Sequence, residues 1–312
     1  MLKVKNVSIR FAKGSEVVSD VSMEISPKDK MVIIGETGSG KSVLLLSILR
    51  MLPSNTRVSG EIILENEDIL KVSKREIYKI RGKKIAYIPQ GSGNGMNPLY
   101  TVGHQIRESL RKHRKISKEE AMDKSVELLK NFGMENGKEI CSKYPFMLSG
   151  GMRQRALIAM GLANDADIIL ADEPTKGLDV ERIKMVIDAF HRLEDKTILC
   201  VTHDLRFAKA IASKITVMYA SQQIECCGSE EFFSNPLHPY SQAMIKALPE
   251  NGLHASMGFA PPRSDEDNTE GCHFYHRCAY KTEKCVKSPP LIEYGHRKVR
   301  CWKYADENGE YK

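Results

Sequence analysis

The sequence contains no apolar run that approaches the roughly 18 residues needed for a helix to cross a bilayer. Its first residues, MLKVKNVSIRF, alternate polar and apolar side chains and lack the unbroken apolar core of a signal peptide. Internal repeats and low-complexity tracts are absent, and the basic clusters lack the interleaved aromatic residues of nucleic-acid-binding modules. We therefore expect a cytosolic globular protein that does not bind nucleic acid.

The overall composition is that of an ordinary soluble protein. Of its residues, 41% are hydrophobic and 28% are charged, as in most globular proteins. A length of 312 residues is sufficient for one large domain or for a large and a small one. The formal net charge is +7, with basic clusters at residues 71–84 and 111–120. Such clusters can bind nucleic acid or anionic lipid, but the simpler interpretation is a solvated face.

Strand-like and helix-like segments alternate along the chain. MVIIG (31–35), ADIILA (166–171) and TILCVT (197–202) are short apolar runs typical of buried strands. A helix apolar nearly all round follows the first of them, and residues 100–135 are charged with a helical period. This alternation predicts an α/β core with a mainly parallel sheet and a helical insertion.

The segment GETGSGKS lies between a predicted strand and a predicted helix and matches G-x-x-x-x-G-K-[ST], the phosphate-binding P-loop. Glycines let several backbone N–H groups point at one anion, at the positive end of a helix. Lys41 is expected to reach the phosphates and the Ser42 hydroxyl to bind Mg²⁺. The predicted nucleotide-binding residues are Gly35, Glu36, Thr37, Gly38, Ser39, Gly40, Lys41 and Ser42.

Two adjacent carboxylates, Asp172 and Glu173, end the apolar run ADIILADEP. Side chains at the end of a strand can diverge toward one site. Asp172 is a suitable Mg²⁺ ligand and Glu173 a suitable general base for the attacking water. The alternative is a polar strand end without function, which the P-loop in the same chain disfavours.

A third segment, LSGGMRQRALIAMGL, begins a predicted helix with Ser149, Gly150 and Gly151. Small residues and free N–H groups at a helix start offer a second phosphate-binding end, although they could equally form a simple cap. The string LSGGMRQR resembles the signature of ATP-binding-cassette (ABC) ATPases. The resemblance covers nearly the whole chain, and it implies an α/β P-loop nucleotide-binding domain with a parallel RecA-like sheet, antiparallel strands and a helical subdomain.

The resemblance assigns roles to further residues. Gln90 of AYIPQ is similar to the Q-loop glutamine, which contacts Mg²⁺ and the attacking water beside the permease-docking surface. Asp179 stands at the D-loop position, and His203 at that of the switch histidine that contacts the γ-phosphate. Phe11 is a candidate to stack on adenine, or alternatively a core aromatic. The implied nucleotide-binding domain is 1–232, with its helical subdomain at about 91–160, and an extension follows at 233–312. Within the extension, one short helix flanked by prolines precedes a linker at 259–272.

In this family two cassettes face head to tail and hold ATP between the P-loop of one and the signature of the other. One chain is thus half of a pair, which we expect to be a heterodimer. MNPLYTVGHQI (96–106) and NPLHPYSQAMIKALP (235–249) resemble the peptide/nickel importer branch. GSGNG (91–95) and TKGLD (175–179) differ from the sequence motifs that are common in this branch, but neither difference removes a catalytic group.

The branch implies an ATPase subunit, peripheral at the cytoplasmic face of the membrane, that works with permease subunits and indirectly with an extracytoplasmic binding protein. Di- or oligopeptides are the expected cargo, with nickel or a nickel chelate as the alternative. A soluble ABC ATPase is less favoured, because such proteins usually carry two cassettes or a long coiled-coil insertion. An exporter is disfavoured because exporters commonly fuse cassette and membrane segments.

Eight cysteines divide into two groups. One group lies in or near the cassette and is interpreted as buried or free thiols: Cys141, Cys200, Cys226 and Cys227. The other forms a C-x5-C-x6-C-x15-C pattern near the end of the sequence: Cys272, Cys278, Cys285 and Cys301.

Structural disulfides are rare in cytosolic proteins, so the second group suggests a metal site. Four thiolates suit an iron–sulfur cluster or zinc, the latter with help from His273 or His276. The spacing matches no common ferredoxin or zinc-ribbon motif, and free thiols without metal are a further alternative. Resemblance to dipeptide-type members favours a [4Fe–4S] cluster.

Overall fold

The computed structural model describes residues 1–12, 14, 16–91, 95–252 and 271–306. The chain divides into two compact units, which are treated separately below. Unit 1 comprises Met1–Ile25, Met31–Lys71 and Ala212–Lys312, and unit 2 comprises Ser26–Lys30 and Val72–Ile211. Apart from its last two positions, the predicted linker at 259–272 lies outside the described residues. The domain boundaries expected from the sequence stay a prediction.

Unit 1 contains a mixed sheet in the order β5-β4-β1-β2-β10-β9-β3, where strands and helices are numbered in chain order over the whole protein. Strand β12 pairs with β10, and β11 pairs with β12. The strands are β1 (Leu2–Arg10), β2 (Glu16–Ile25), β3 (Lys30–Ile34), β4 (Arg57–Leu64), β5 (Glu67–Asp68), β9 (Lys214–Tyr219), β10 (Gln222–Gly228), β11 (Ile292–Tyr294) and β12 (Arg297–Val299).

The pairing in unit 1 is antiparallel at one end and parallel at the other. β1 pairs antiparallel with β2 and β4, whereas β3 pairs parallel with β9. The predicted buried strand is confirmed, because the four apolar residues of β3 from Met31 to Ile34 are all buried. The helices of this unit are α1 (Lys41–Ile48), α9 (Ser229–Ser234) and α10 (Pro239–Lys246). Leu44, Leu45 and Ile48 of α1 are buried, as expected for an apolar helix.

Unit 2 contains three strands paired in parallel, with β7 between β6 and β8. The strands are β6 (Ile85–Ile88), β7 (Ile168–Asp172) and β8 (Thr197–Thr202). Every residue of β7 and β8 is buried, which confirms the two predicted central strands. The helices are α2 (Lys74–Ile80), α3 (Val102–His113), α4 (Lys118–Asn131), α5 (Gly137–Ser142), α6 (Gly150–Leu162), α7 (Val180–His191) and α8 (Leu205–Ile211).

The charged segment in the middle of the sequence is helical, as its period indicates. Hydroxyl caps start its two longest helices, because Thr101 accepts a hydrogen bond from the His104 N–H and Ser117 from the Glu120 N–H. Helix α3 packs against α4, α5 and α6. These helices form the insertion that precedes β7.

Residues 271–306 fold back onto strand β10 within unit 1. The β10–β12 pairing is antiparallel and places Glu225 opposite Val299. Leu237, Ile292 and Val299 belong to a small apolar core of this segment. Arg297 forms a buried ion pair with Glu225 at 2.8 Å.

Among the residues that the structure describes, no helix combines the length and apolar character needed to cross a membrane.

Candidate functional site

The glycine-rich loop joins strand β3 to helix α1, as predicted. Gly40 caps α1 in a left-handed conformation with φ of +98°, which a glycine adopts without strain. A Cβ atom at this position would lie 2.3 Å from the Val17 carbonyl oxygen. The loop therefore needs glycine here both for its curl and for its close approach to β2.

Lys41 is buried and its ammonium group lies in the curl of this loop. Nζ donates hydrogen bonds to the carbonyl oxygens of Gly35 at 2.8 Å and Glu36 at 2.9 Å. The loop thus positions its own lysine at the start of α1, where the helix dipole also favours an anion. The arrangement suits binding of a phosphate chain.

Other residues that were predicted to bind the nucleotide also lie in unit 1. Thr37 and Gly38 are exposed at the tip of the loop, and Ser42 is half-buried in the first turn of α1. Phe11 directly follows β1 and is half-buried. Its carbonyl oxygen accepts a hydrogen bond from the Gly14 N–H, so a turn follows it.

The predicted carboxylate pair lies at the carboxyl end of β7 in unit 2. Asp172 is the last residue of the strand, and Glu173 follows with φ of +48°. This left-handed conformation is unusual for a residue other than glycine and marks a constrained turn. The Glu173 N–H donates to the Val201 carbonyl oxygen at 2.9 Å, which fixes the turn against β8.

Glu173 is held by the residues that follow β8. Its Oε2 atom lies 2.8 Å from Nδ1 of His203 and also accepts hydrogen bonds from the Thr202 hydroxyl and the His203 N–H, both at 3.3 Å. The carboxylate is largely buried, whereas the His203 side chain is 54% exposed. The structure therefore brings together the predicted base and the predicted switch histidine.

Asp172 is buried beside a tyrosine that the sequence analysis did not single out. The Tyr87 hydroxyl donates to Oδ2 of Asp172 at 3.5 Å. Burial and the negative charge of Asp172 raise the pKa of Tyr87 above its usual range, so the hydroxyl remains a donor at neutral pH. This contact leaves a buried, oriented carboxylate at the end of the central strand.

Gln154 of helix α6 is a second residue that the sequence analysis missed. A Cβ atom on Gly91 would lie 1.0 Å from its side-chain oxygen, and its side-chain nitrogen donates to the Pro174 carbonyl oxygen at 2.9 Å. Gln154 thereby contacts both Gly91, which follows the half-buried Gln90, and Pro174, which follows Glu173. A glutamine inside an apolar helix that starts with glycines was the available signal.

The start of helix α6 is exposed, as a surface for a partner would require. Ser149 caps the helix by accepting from the Met152 N–H, and Ser149 and Gly150 are both exposed. Gly151 is buried against the side chain of Arg182. Asp179 caps α7 and forms an ion pair with the same arginine, so the predicted signature and D-loop residues are neighbours in unit 2.

The four cysteines of residues 271–306 line a single cavity in unit 1. The cavity has a volume of about 530 Å³, and its walls include Phe274, Tyr280 and Trp302. Burial, together with the charges of the other three thiols, raises the pKa of the Cys272 thiol to about 12. The cysteines that share the cavity are Cys272, Cys278, Cys285 and Cys301.

The cavity is not built like the site of a single metal ion. Over the described part of the chain, no three His, Cys, Asp or Glu side chains are close enough to hold one ion. His273, a predicted zinc ligand, contacts the Ala220 carbonyl oxygen at 2.6 Å through Nδ1. Among the described residues, the structure thus supports neither the predicted cluster nor the zinc alternative, and both stay predictions.

Comparisons with known proteins place the chain in a family. A family model described as "ABC transporter" matches residues 18–176. Oligopeptide transport ATP-binding protein AppD of Bacillus subtilis (strain 168) is 34% identical over 325 residues, which cover 99% of this chain and 98% of AppD. The chain belongs to the ABC transporter family.

Further matches extend over the rest of this ABC ATPase. A second family model, "Oligopeptide/dipeptide transporter, C-terminal region", matches residues 224–285. Dipeptide transport ATP-binding protein DppD of Haemophilus influenzae is 35% identical over 322 residues, which cover 99% of this chain and 97% of DppD. The predicted membership of the oligopeptide/dipeptide/nickel branch is confirmed at the level of the family.

A solved structure confirms the expected fold class. The dimeric, post-hydrolysis structure of the ATP-binding cassette MJ0796, bound to ADP and Pi, superposes with a TM-score of 0.67 and is 29% identical in sequence. The match covers 73% of this chain and 99% of that cassette. The α/β P-loop nucleotide-binding fold and the ABC-type ATPase activity are therefore confirmed.

Proposed function

We propose that this chain is the ATP-hydrolysing subunit of an importer for di- or oligopeptides. The observation that carries the hydrolytic part is the contact between Glu173 and His203 at 2.8 Å. The peptide cargo is supported by the relatives, whose printed names refer to oligopeptide and dipeptide transport.

In the proposed reaction, Glu173 is the general base for the attacking water. Its three contacts to Thr202 and His203 all fall on Oε2, so Oε1 is the oxygen that can accept the proton. Lys41 and the backbone N–H groups of residues 35–42 bind the phosphates. His203, whose side chain is half-exposed beside the base, is proposed to contact the γ-phosphate.

The residues proposed for Mg²⁺ fit a hard cation. Ser42, Gln90 and Asp172 offer a hydroxyl, an amide and a carboxylate oxygen, the donor types that Mg²⁺ prefers. Asp172 is buried and fixed by Tyr87, which suits an oriented ligand. Mg²⁺ would neutralise charge that develops on the phosphates.

We further propose that the chain works as half of a head-to-tail pair, with a second and different ABC ATPase subunit. The exposed helix start at Ser149 and Gly150 supports this, since it offers unpaired N–H groups to a neighbouring molecule. Permease subunits would hold the pair at the cytoplasmic face of the membrane, and an extracytoplasmic binding protein would deliver the cargo. Phe11 is proposed to stack on adenine, and Asp179, at the D-loop position, is proposed to contribute to nucleotide binding.

The cysteine cavity is proposed to hold a [4Fe–4S] cluster. Each thiolate of such a cluster binds a different iron, so the sulfur atoms surround a volume and do not converge on one point. A cavity of about 530 Å³ lined by all four cysteines fits this requirement better than a single zinc ion. A bound cluster would cross-link a segment whose own apolar core is small.

Uptake assays test the cargo and the base together. Cells that lack the chain are complemented with wild type, Glu173→Gln or the matched surface control Glu194→Gln, and are given labelled dipeptide, longer peptide and nickel. Peptide uptake that is restored by wild type and by Glu194→Gln, but not by Glu173→Gln, supports the proposal. Uptake of nickel in place of peptide would assign the alternative cargo, and near-normal ATP turnover by Glu173→Gln would reject the base.

Iron and sulfide analysis tests the cavity. The full chain is purified without oxygen, and its iron, acid-labile sulfide and visible absorbance are measured for wild type, Cys278→Ser and the control Cys226→Ser. About four irons and four sulfides per chain are expected for wild type and the control. Absence of both elements from wild type would refute the cluster.

A further inference from the structure

The cysteine-bearing segment reaches the glycine-rich loop through one arginine. Arg277 lies next to Cys278, and its Nη1 atom donates to Oε1 of Glu36 at 2.9 Å and to the Tyr219 hydroxyl at 3.2 Å. The Arg277 side chain is 8% exposed and that of Glu36 is 37% exposed. Glu36 is the second residue of the loop. Arg277, which pairs with its carboxylate, lies 241 positions further along the chain.

The backbone of Glu36 is held from the same side. Its N–H donates to the Tyr240 hydroxyl at 3.2 Å. Its carbonyl oxygen accepts the hydrogen bond from Lys41 described above. Glu36 therefore connects Arg277 and Tyr240 to the lysine that is proposed to bind the phosphates.

Aromatic packing fixes the arginine in this place. The rings of Tyr219, Tyr240 and Phe274 contact each other with centroids 4.6 to 5.5 Å apart. The Arg277 guanidinium lies 5.6 Å from the ring centres of both Tyr219 and Phe274. Phe274 also lines the cysteine cavity, so the frame that orients Arg277 is a wall of that cavity.

The charge of Glu36 makes this contact relevant to the ligand. A carboxylate in a loop that binds a triphosphate repels the ligand unless a cation neutralises it. Arg277 supplies that cation and, with Tyr240, holds the loop in the shape that places Lys41.

We propose that Arg277 and Tyr240 are positioning residues for ATP, so that the ATP affinity of this chain depends on its cysteine-bearing segment. The inference rests on the proposed role of residues 35–42 as the phosphate site. Neither side chain is proposed to take part in the hydrolytic step.

A charge-rescue experiment tests the pairing. MgATP dissociation constants are measured by equilibrium titration of the full chain for wild type, Arg277→Met, the double variant with Glu36→Gln, and Lys298→Met. Lys298 is a half-exposed cation of the same segment and controls for the change in net charge. We expect Arg277→Met to weaken binding about tenfold, the double variant to return to within about threefold of wild type, and the control to match wild type.

Kinetics separate positioning from a general loss of structure. Arg277→Met is expected to raise KM for ATP while kcat changes little, because the residues proposed for hydrolysis are unaltered. Tyr240→Phe keeps the ring and removes the hydroxyl, so it should raise KM by a smaller factor. Equal KM values for Arg277→Met and wild type, or no rescue by Glu36→Gln, would overturn the inference. If wild type itself bound no ATP, the proposed phosphate site would fail instead.

Discussion

Lowering the pH from 7 to 5 should destabilise unit 1 through one buried histidine. His238 is 1% exposed, and its Nδ1 atom accepts a hydrogen bond from the Tyr240 N–H at 3.0 Å at the start of α10. Burial lowers the pKa of His238 from 6.5 to about 3, so the folded protein keeps the ring neutral. The unfolded chain binds a proton below pH 6.5, and stability therefore falls as the pH falls through this range.

The size of the effect follows from the two pKa values. Between pH 7 and pH 5 the unfolded state gains about 2 kcal/mol from protonation of this ring, whereas the folded state gains almost nothing. Most of the loss should appear below pH 6.5 and continue toward pH 3. Carboxylates add their own dependence mainly below pH 5, because the pKa of Asp20, for example, is lowered in the folded state by Asn6 and Arg300 despite its partial burial.

Denaturant unfolding of the full chain at pH 7, 6 and 5 provides the assay. His238→Asn keeps an oxygen that can accept from the Tyr240 N–H and removes the titrating ring. The exposed His191→Asn serves as the matched control. Wild type and the control should lose about 2 kcal/mol more than His238→Asn between pH 7 and pH 5. An equal loss in all three proteins would refute the assignment of the pH dependence to His238.

Three further substitutions test individual contacts. Gly40→Ala should cost about 1–3 kcal/mol and abolish stabilisation by MgATP in thermal unfolding, because the added Cβ meets a β2 carbonyl oxygen; unchanged melting with ATP would contradict this. Arg297→Met should cost about 3–5 kcal/mol by denaturant unfolding, since it leaves the buried Glu225 carboxylate without its cation, and adding Glu225→Gln should recover part of the loss. Thr202→Val should slow ATP hydrolysis about tenfold with little change in ATP binding, because it removes a donor to Glu173; an unchanged turnover rate would exclude a role for this hydroxyl.

Local patterns predicted the elements of the fold well. The apolar runs that predict β3, β7 and β8 are buried strands in the structure, and the helical period of the charged segment predicts α3 and α4. These predictions succeed because period and burial act over a few residues. The loop at residues 35–42 is equally local, so its position between a strand and a helix also follows from the sequence.

Contacts between distant segments could not be predicted in this way. Nothing near Arg277 indicates that it pairs with Glu36, since the contact depends on how β9, α10 and the final segment pack. The left-handed turn at Glu173 is likewise set by a hydrogen bond to Val201 on the neighbouring strand. Such contacts arise from tertiary packing, which overrides local preference.

Unit 1 is assembled from pieces far apart in the sequence, Met1–Ile25, Met31–Lys71 and Ala212–Lys312. During synthesis, β1, β2 and β4 emerge early, whereas β9 and β10 of the same sheet follow about 150 residues later, since chains grow from the N-terminus. The segment that carries Arg277 emerges after β9 and β10. We therefore expect a nascent or truncated chain to gain tight ATP binding only once residues 271–306 have been synthesised. Order of synthesis would then act as a checkpoint that keeps incomplete subunits from consuming nucleotide.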